Sequence, residues 1–274
     1  MTIGRGAWLA VAGGTDAYDG AMTKSFSMLD PTTQSSADRA FAAEMTDFFA
    51  ASLGSTMDKL RNFGKYVPRQ SLALFLAKNE MFKRIVGVHG DVVECGVHLG
   101  GGLLTWAQLS AIYEPINHSR KVVGFDTFEG FPGLHPQDGR PALDYAREGG
   151  LATGAEEDIQ ESVRLFDLNR PLGHIAKVDL VSGNAVATIP AYLETNPHLV
   201  VALLYLDFDL YEPTKAAIET LLPRMPRGAI LAFDELNHRN WPGETTAALE
   251  TVGIRNVRIE RFPFTPQLSY AVLD

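Results

Sequence analysis

The stretch "VVALLYLDFDLYEP", Val200 to Pro213, governs how the rest of the chain is read. It opens as an unbroken apolar run, the pattern of a strand buried on both faces of a parallel sheet. It then turns polar at Asp207 and Asp209, with Phe208 alone between them. An ionised carboxylate at the end of a buried strand is costly unless something compensates it. The run predicts a central strand, and its acidic end predicts an edge where something is bound.

Outward from this strand the same alternation recurs. "DVVECGV" and "KVVGFDTF" are strands with the helical "LLTWAQLSAIY" between them. "EEDIQESVRLF" reads as helix, "HIAKVDLV" as strand and "IPAYLETN" as a short helix. Beyond the central run come the helix "EPTKAAIETLLPRM", the strand "GAILAFDEL" and the helix "GETTAALETV". "NVRIERFPF" and "LSYAVLD" predict a closing hairpin. Alternating units of this kind make an α/β fold, a doubly wound, mostly parallel Rossmann-like sheet with a C-terminal antiparallel hairpin.

Ahead of the sheet, helical spacing predicts helices over Ser36–Leu53, with Ser36 as N-cap, and over Arg69–Val86. The expected organisation is a loose arm over 1–36, a helical cap over 37–88 and the sheet domain over 89–274, one structural domain overall. The polar, Gly- and Pro-rich segment Glu129–Ala155 is too long for an ordinary connection and reads as a lid.

Of the 274 residues 46% are hydrophobic and 21% charged, enough apolar content for a sizeable core. A net charge of -9 speaks against nucleic acid as a partner, because phosphate contacts need clustered Lys and Arg. No apolar stretch approaches a membrane span, and "AWLAVAGG" near the N-terminus is too short for a signal sequence. The lone Cys95 excludes an internal disulfide and fits a reducing, cytoplasmic location.

In sheets of this class ligands bind beyond the carboxyl ends of the strands. Three sets of residues fall there. The first is "VVECGVHLGGG", with Glu94, Gly96 and Gly100, a glycine turn between strand and helix where a ligand can approach the backbone. Its GxxxGGG spacing is a poor match to a pyrophosphate cradle and a better one to an amino-acid moiety, whose ammonium Glu94 would attract. The second is Asp126, followed by Thr127, placed to bond ribose hydroxyls or to cap its own turn. "VSGN", with Ser182, Gly183 and Asn184, ends the next strand where an adenine edge would lie. The third joins Asp207 to Asp234 and Glu235, which a right-handed crossover brings to neighbouring strand ends. Three carboxylates there repel one another unless protonated or bridged by a hard, oxygen-liking divalent cation. His238, four residues after Asp234, lies at the mouth of this cluster. Asp209 reads as a helix cap or turn residue.

At these residues the chain resembles the macrocin O-methyltransferase family. The pieces that carry the resemblance are "GDVVECGVHLGGG", "VVGFDTFEGFP", "LDFDLYEPTKAAIETLLPRMPRGAILAFDE" and "WPGETTAAL", spread over roughly Val67 to Val252. The resemblance implies an enzyme that methylates a sugar hydroxyl of a natural product, using S-adenosylmethionine (SAM) and often magnesium, and that forms a homo-oligomer. It puts Asp207 at the place of a metal ligand that doubles as base, and Asp234 and Glu235 at the place of the family's paired aspartates. Two departures stand out: Glu235 where the family has Asp, and Phe208 where it has Gly.

The expected site thus has Glu94, Gly96, Gly100, Asp126, Thr127, Ser182, Gly183 and Asn184 around SAM. Asp207, Asp234 and Glu235 hold Mg²⁺ or another divalent cation, and Asp207 or His238 acts as base. A catechol-like phenol is an alternative acceptor, and a nucleotide-binding protein without methyl transfer is an alternative class.

Overall fold

The computed structural model describes residues 35–139, 143–266 and 268–274. The expected arm over residues 1–36 lies almost wholly outside them. The chain divides into a unit of residues 1–46 and a unit of residues 47–274. The described part of the first unit is the opening of helix α1, Ser36–Ala51, none of whose residues is buried. Its cap is Ser35 rather than Ser36. Ser35 Oγ accepts from Asp38 N–H, and Asp38 Oδ2 accepts from Ser35 N–H in return, a capping box one residue earlier than expected.

The second unit carries the sheet. Its strands are β1 (Asp91–Cys95), β2 (Val122–Asp126), β3 (Val178–Ser182), β4 (Val201–Leu206), β5 (Ile230–Phe233), β6 (Ile259–Arg261) and β7 (Ser269–Val272). The spatial order is β3-β2-β1-β4-β5-β7-β6. The first five are parallel, while β7 runs antiparallel to both β5 and β6. Between them come α4 (Gly101–Tyr113), α5 (Glu156–Leu168), α6 (Ala185–Thr195), α7 (Tyr211–Leu221) and α8 (Pro242–Thr251), preceded by α2 (Thr56–Arg61) and α3 (Arg69–Ile85). The doubly wound sheet and its closing hairpin are those expected. Helix α2 was not, because six residues are too few to show a helical period.

Strand β4 is buried along its whole length, and its alternate residues enter two different cores. Leu203 and Tyr205 join Met81, Phe82 and Ile85 of α3, Trp106 of α4 and Ile159 of α5 on one face. Leu204 and Leu206 join Ile189 of α6, Ile218 and Leu221 of α7 and Ala248 of α8 on the other. Each such side chain contributes about 1.5–3 kcal/mol by leaving water. This explains why the run "VVALLYL" shows no alternation: both faces are covered. Phe208 follows the same logic and packs against the second core. No helix among the described residues is long and apolar enough to cross a membrane.

The order of the strands reverses between β1 and β4, since the chain first winds outward through β2 and β3 and then returns on the other side of β1. Such a switch point opens a crevice at the carboxyl ends of the two strands. Gly96 and Asp207 sit on either side of it.

Candidate active site

Gly96 follows β1 directly, with φ +94°, and a Cβ there would stand 1.9 Å from the Asp207 carbonyl oxygen. Asp207 N–H in turn donates to Cys95 O at 2.8 Å. The glycine turn and the acid at the end of β4 therefore touch through their backbones, which only a residue without a side chain permits. Gly100, at φ +83°, lets the turn enter α4 against Ile159. Gly101, at the start of α4, is exposed, and a Cβ there would meet nothing within 4 Å.

Asp126 ends β2 as expected and is bound to this turn. Its Oδ2 accepts from the N–H groups of Val97 and His98, both at 2.7 Å, and its Oδ1 accepts from Phe128 N–H at 2.7 Å. An ionised carboxylate has about four acceptor positions, so one remains for a ligand hydroxyl. Thr127 Oγ1 donates to Gly130 O at 2.6 Å and shapes the entry to the long loop. At the end of β3, Ser182 is exposed and Gly183 has φ +125°. Asn184 Oδ1 caps α6 by accepting from Val186 N–H at 3.0 Å. These residues line the same edge as Asp126, because Gly183 N–H donates to Asp126 O at 2.8 Å.

Glu94 is buried beneath the turn at 1% exposure, and its Oε1 accepts from Lys78 Nζ of α3 at 2.8 Å. The ammonium lies 3.7 Å from the centre of the Tyr205 ring and 4.9 Å from that of Trp106. Glu94 Oε2 has no hydrogen-bond partner among the described residues. Burial pushes the Glu94 pKa up, and Lys78 opposes that shift. Sequence reading missed Lys78, since a lysine in an amphipathic helix reads as solvent-facing until its depth is known.

The carboxylates meet beyond β4 and β5. Asp207 is pushed well above the ordinary carboxylate range by burial, and then by the charges of Asp234 and Asp209. Burial is also the first cause of the raised pKa of Asp234, while the Tyr205 hydroxyl, which donates to its Oδ1, opposes the rise. Asp209 is pushed up to about 7 by burial and by Asp234, and its side chain is hydrogen-bonded with Glu235. Its φ of +62° is rare for a residue with a side chain and turns the chain inward here. Asp209 is therefore a turn residue that also belongs to the acidic cluster, and it is not the helix cap that the sequence offered as the other reading. The first amide of α7 is capped from elsewhere: Asp138 Oδ1 accepts from Tyr211 N–H at 2.6 Å.

Behind the cluster stands Glu244 of α8, fully buried, whose Oε1 accepts from Glu235 N–H at 3.0 Å. Burial and the neighbouring Asp234 and Glu235 push its pKa well up. Sequence reading missed it as well, because a glutamate in the first turn of a helix is ordinary. His238 Nδ1 lies 3.5 Å from Glu235 Oε2. Among the described residues, no three His, Cys, Asp or Glu side chains close around a single point as metal ligands. The cluster supplies hard oxygen donors and an excess of negative charge, which suits a divalent cation in kind, but this side-chain arrangement does not form a closed cage for one.

The long loop wraps this edge. Asp138, 1% exposed, also accepts from His135 N–H at 2.7 Å, and the His135 ring stacks on Tyr211 with centroids 4.7 Å apart. Phe131 and Tyr145 pack on Trp241, which is buried at the start of α8. The loop and the starts of α6 and α7 line a cleft of about 180 Å³ that includes Leu134, His135, Asn184 and Glu212.

Known proteins share this fold and much of this sequence. The macrocin-O-methyltransferase (TylF) family profile matches residues 37–249. The crystal structure of CalS11, a calicheamicin methyltransferase, is 32% identical with a TM-score of 0.84, over 91% of this chain and 99% of that one. A second structure of CalS11, described as a TDP-rhamnose 3'-O-methyltransferase, gives 31% identity and a TM-score of 0.76, over 87% and 95% of the two chains. Demethyldecarbamoylnovobiocin O-methyltransferase of Streptomyces niveus is 26% identical over 65% of this chain and 67% of its own length. With the switch-point crevice, the glycine turn and the acidic strand ends on one edge, the chain belongs to the macrocin O-methyltransferase family and is a SAM-dependent O-methyltransferase.

Proposed function

We propose that the enzyme methylates a sugar hydroxyl of a natural product or of its nucleotide-sugar precursor, with a divalent cation, Mg²⁺ first among them, bound at the acidic strand ends. What supports this reading is that Asp207, Asp209 and Asp234 act on one another's charge beyond β4 and β5, with Glu235 bonded to Asp209, beside the turn that Gly96 presses against Asp207. SAM supplies a methyl group on a sulfonium centre, and a cation bound by the carboxylates supplies positive charge that acidifies a nearby hydroxyl.

In this reading the chain's own residues do the following. Glu94 offers its unbonded Oε2 to the ammonium of SAM, and Asp126 keeps its last acceptor position for a ribose hydroxyl. Ser182, Gly183 and Asn184 flank the adenine. Asp207, Asp234 and Glu235, joined by Asp209, hold the cation. Asp207, whose pKa burial and then Asp234 and Asp209 raise above the ordinary carboxylate range, accepts the proton of the acceptor hydroxyl once the cation is held beside it, and His238 stands as the alternative base. The oxygen takes the methyl group as the carbon–sulfur bond breaks, and the sulfur keeps that electron pair as S-adenosylhomocysteine leaves. The loop over Glu129–Ala155 excludes water. The reading also has the enzyme work as a homo-oligomer in the cytoplasm, where Cys95 stays reduced.

The test is transfer of labelled methyl from SAM to TDP-rhamnose, the sugar of the CalS11 description, and to rhamnosylated aglycones, with Mg²⁺ or with EDTA. Methylation that requires Mg²⁺ is expected. Full transfer in EDTA overturns the metal role, and absence of SAM binding by calorimetry overturns the whole reading.

A further inference from the structure

Helix α3, in the helical segment ahead of the sheet, sends Lys78 into the interior at 6% exposure. Its ammonium is placed from three sides: Glu94 Oε1 of β1 at 2.8 Å, the Tyr205 ring of β4 at 3.7 Å and the Trp106 ring of α4 at 4.9 Å. The space is closed from above by α4, because a Cβ on Gly102 would stand 1.9 Å from Glu94 Oε1 and 2.6 Å from Lys78 Nζ. Two aromatic faces and a carboxylate around one ammonium stabilise its charge without water.

We propose that Lys78 is a positioning residue of the SAM site: its ammonium fixes the Glu94 carboxylate beneath the glycine turn as receptor for the cationic end of SAM. The proposal rests on Glu94 being that receptor and adds why it can serve. Glu94 uses one oxygen on Lys78 and leaves the other, buried and unbonded, for a ligand. The charged and titratable groups that face Glu94 are Lys78 from α3, Tyr205 from β4, Asp207 just beyond β4, Asp126 at the end of β2, Asp234 just beyond β5 and the neighbouring Cys95 thiol. Of these Lys78 alone is cationic. Trp106 and Gly102 of α4 bring no charge. Without Lys78, burial and the aspartates Asp126, Asp207 and Asp234 favour a protonated Glu94, which attracts no ammonium.

The experiment is calorimetric titration of SAM into the full-length protein and its Lys78→Met, Lys78→Arg, Glu94→Gln and doubly substituted (Lys78→Met, Glu94→Gln) variants, each at pH 6.5 and 8.5. Lys78→Met is expected to bind SAM about tenfold or more weakly at pH 6.5 and to recover part of that at pH 8.5, as Glu94 ionises. Lys78→Arg is expected to keep most of the affinity. The double variant is expected to match Glu94→Gln at both pH values, because Lys78 then has no Glu94 carboxylate to hold. Lys78→Met binding as wild type while Glu94→Gln is weak overturns the role of Lys78 and leaves Glu94 as receptor. A loss equal at both pH values in Lys78→Met marks a structural role only and also overturns it. Glu94→Gln binding as wild type overturns the receptor reading and the proposal with it.

Discussion

Asp138 accepts the first amide of α7, Tyr211 N–H, at 2.6 Å across a gap of 73 positions. A carboxylate at a helix N-terminus satisfies an orphan donor and meets the positive end of the helix dipole. Here it does so from inside the long loop, so the same bond closes α7 and anchors the loop.

Replacing Asp138 with Ala therefore acts on both. It leaves Tyr211 N–H buried and unbonded, a loss of about 1–3 kcal/mol. Denaturant unfolding is expected to show that loss, and limited proteolysis of the native protein to show faster cleavage within residues 129–155.

At Gly96 the expected damage is of another kind. The methyl group of Gly96→Ala would overlap the Asp207 carbonyl oxygen at 1.9 Å, and φ is +94°. The two strand ends must then part, which moves the turn away from the acid. SAM affinity and turnover are expected to fall together, by an order of magnitude or more at about 1.4 kcal/mol per tenfold. Calorimetry and a methyl-transfer assay on one preparation check this.

The acidic cluster sets the pH dependence of the ligand-free protein. Asp207, Asp209 and Asp234 all have folded pKa values above their ordinary 3.8, Asp209 at about 7. Groups shifted upward bind more protons folded than unfolded, so their stabilisation is present below pH 3.8 and is lost as pH rises through the folded values. In EDTA the melting temperature is expected to fall between about pH 5 and 8 from this source. Asp209→Asn is expected to flatten the fall, and Mg²⁺ to restore stability at pH 8 by binding the folded state. A melting temperature insensitive to both would count against charge crowding.

Tyr205 offers a finer test. Its hydroxyl donates to Asp234 Oδ1, and Tyr205→Phe removes that donor without changing the ring. A hydrogen bond to a charged group is worth about 1.5–3 kcal/mol. The loss is expected at pH 8, where Asp234 is more ionised, and to shrink at pH 5. SAM affinity is expected to hold, since the Lys78 contact is with the ring.

Much of this was legible in the sequence, for physical reasons that can be named. Strand β4 announced itself because burial on both faces leaves no polar position between Val201 and Leu206. Asp126, Asp207, Asp234 and Glu235 could be placed at the strand ends from sequence because βα alternation sends every parallel strand's carboxyl end to one edge. Lys78, Asp138 and Glu244 were not found. Each is a charged residue in a helix or loop whose pattern permits exposure, and only packing across distant segments makes it internal. Asp209 was misjudged because spacing cannot show the positive φ that turns it inward.

The contact between Gly96 and Asp207 bears on how this enzyme can change in evolution. The turn after β1 and the acid after β4 share one backbone contact, with no side chain between them to be lengthened or trimmed. Substitution can remodel the walls of the crevice, but it cannot easily slide the two strand ends past one another. The walls left to change are those of the loop and the helix starts, where Leu134, His135 and Glu212 line the cleft, around two strand ends whose spacing the main chain holds.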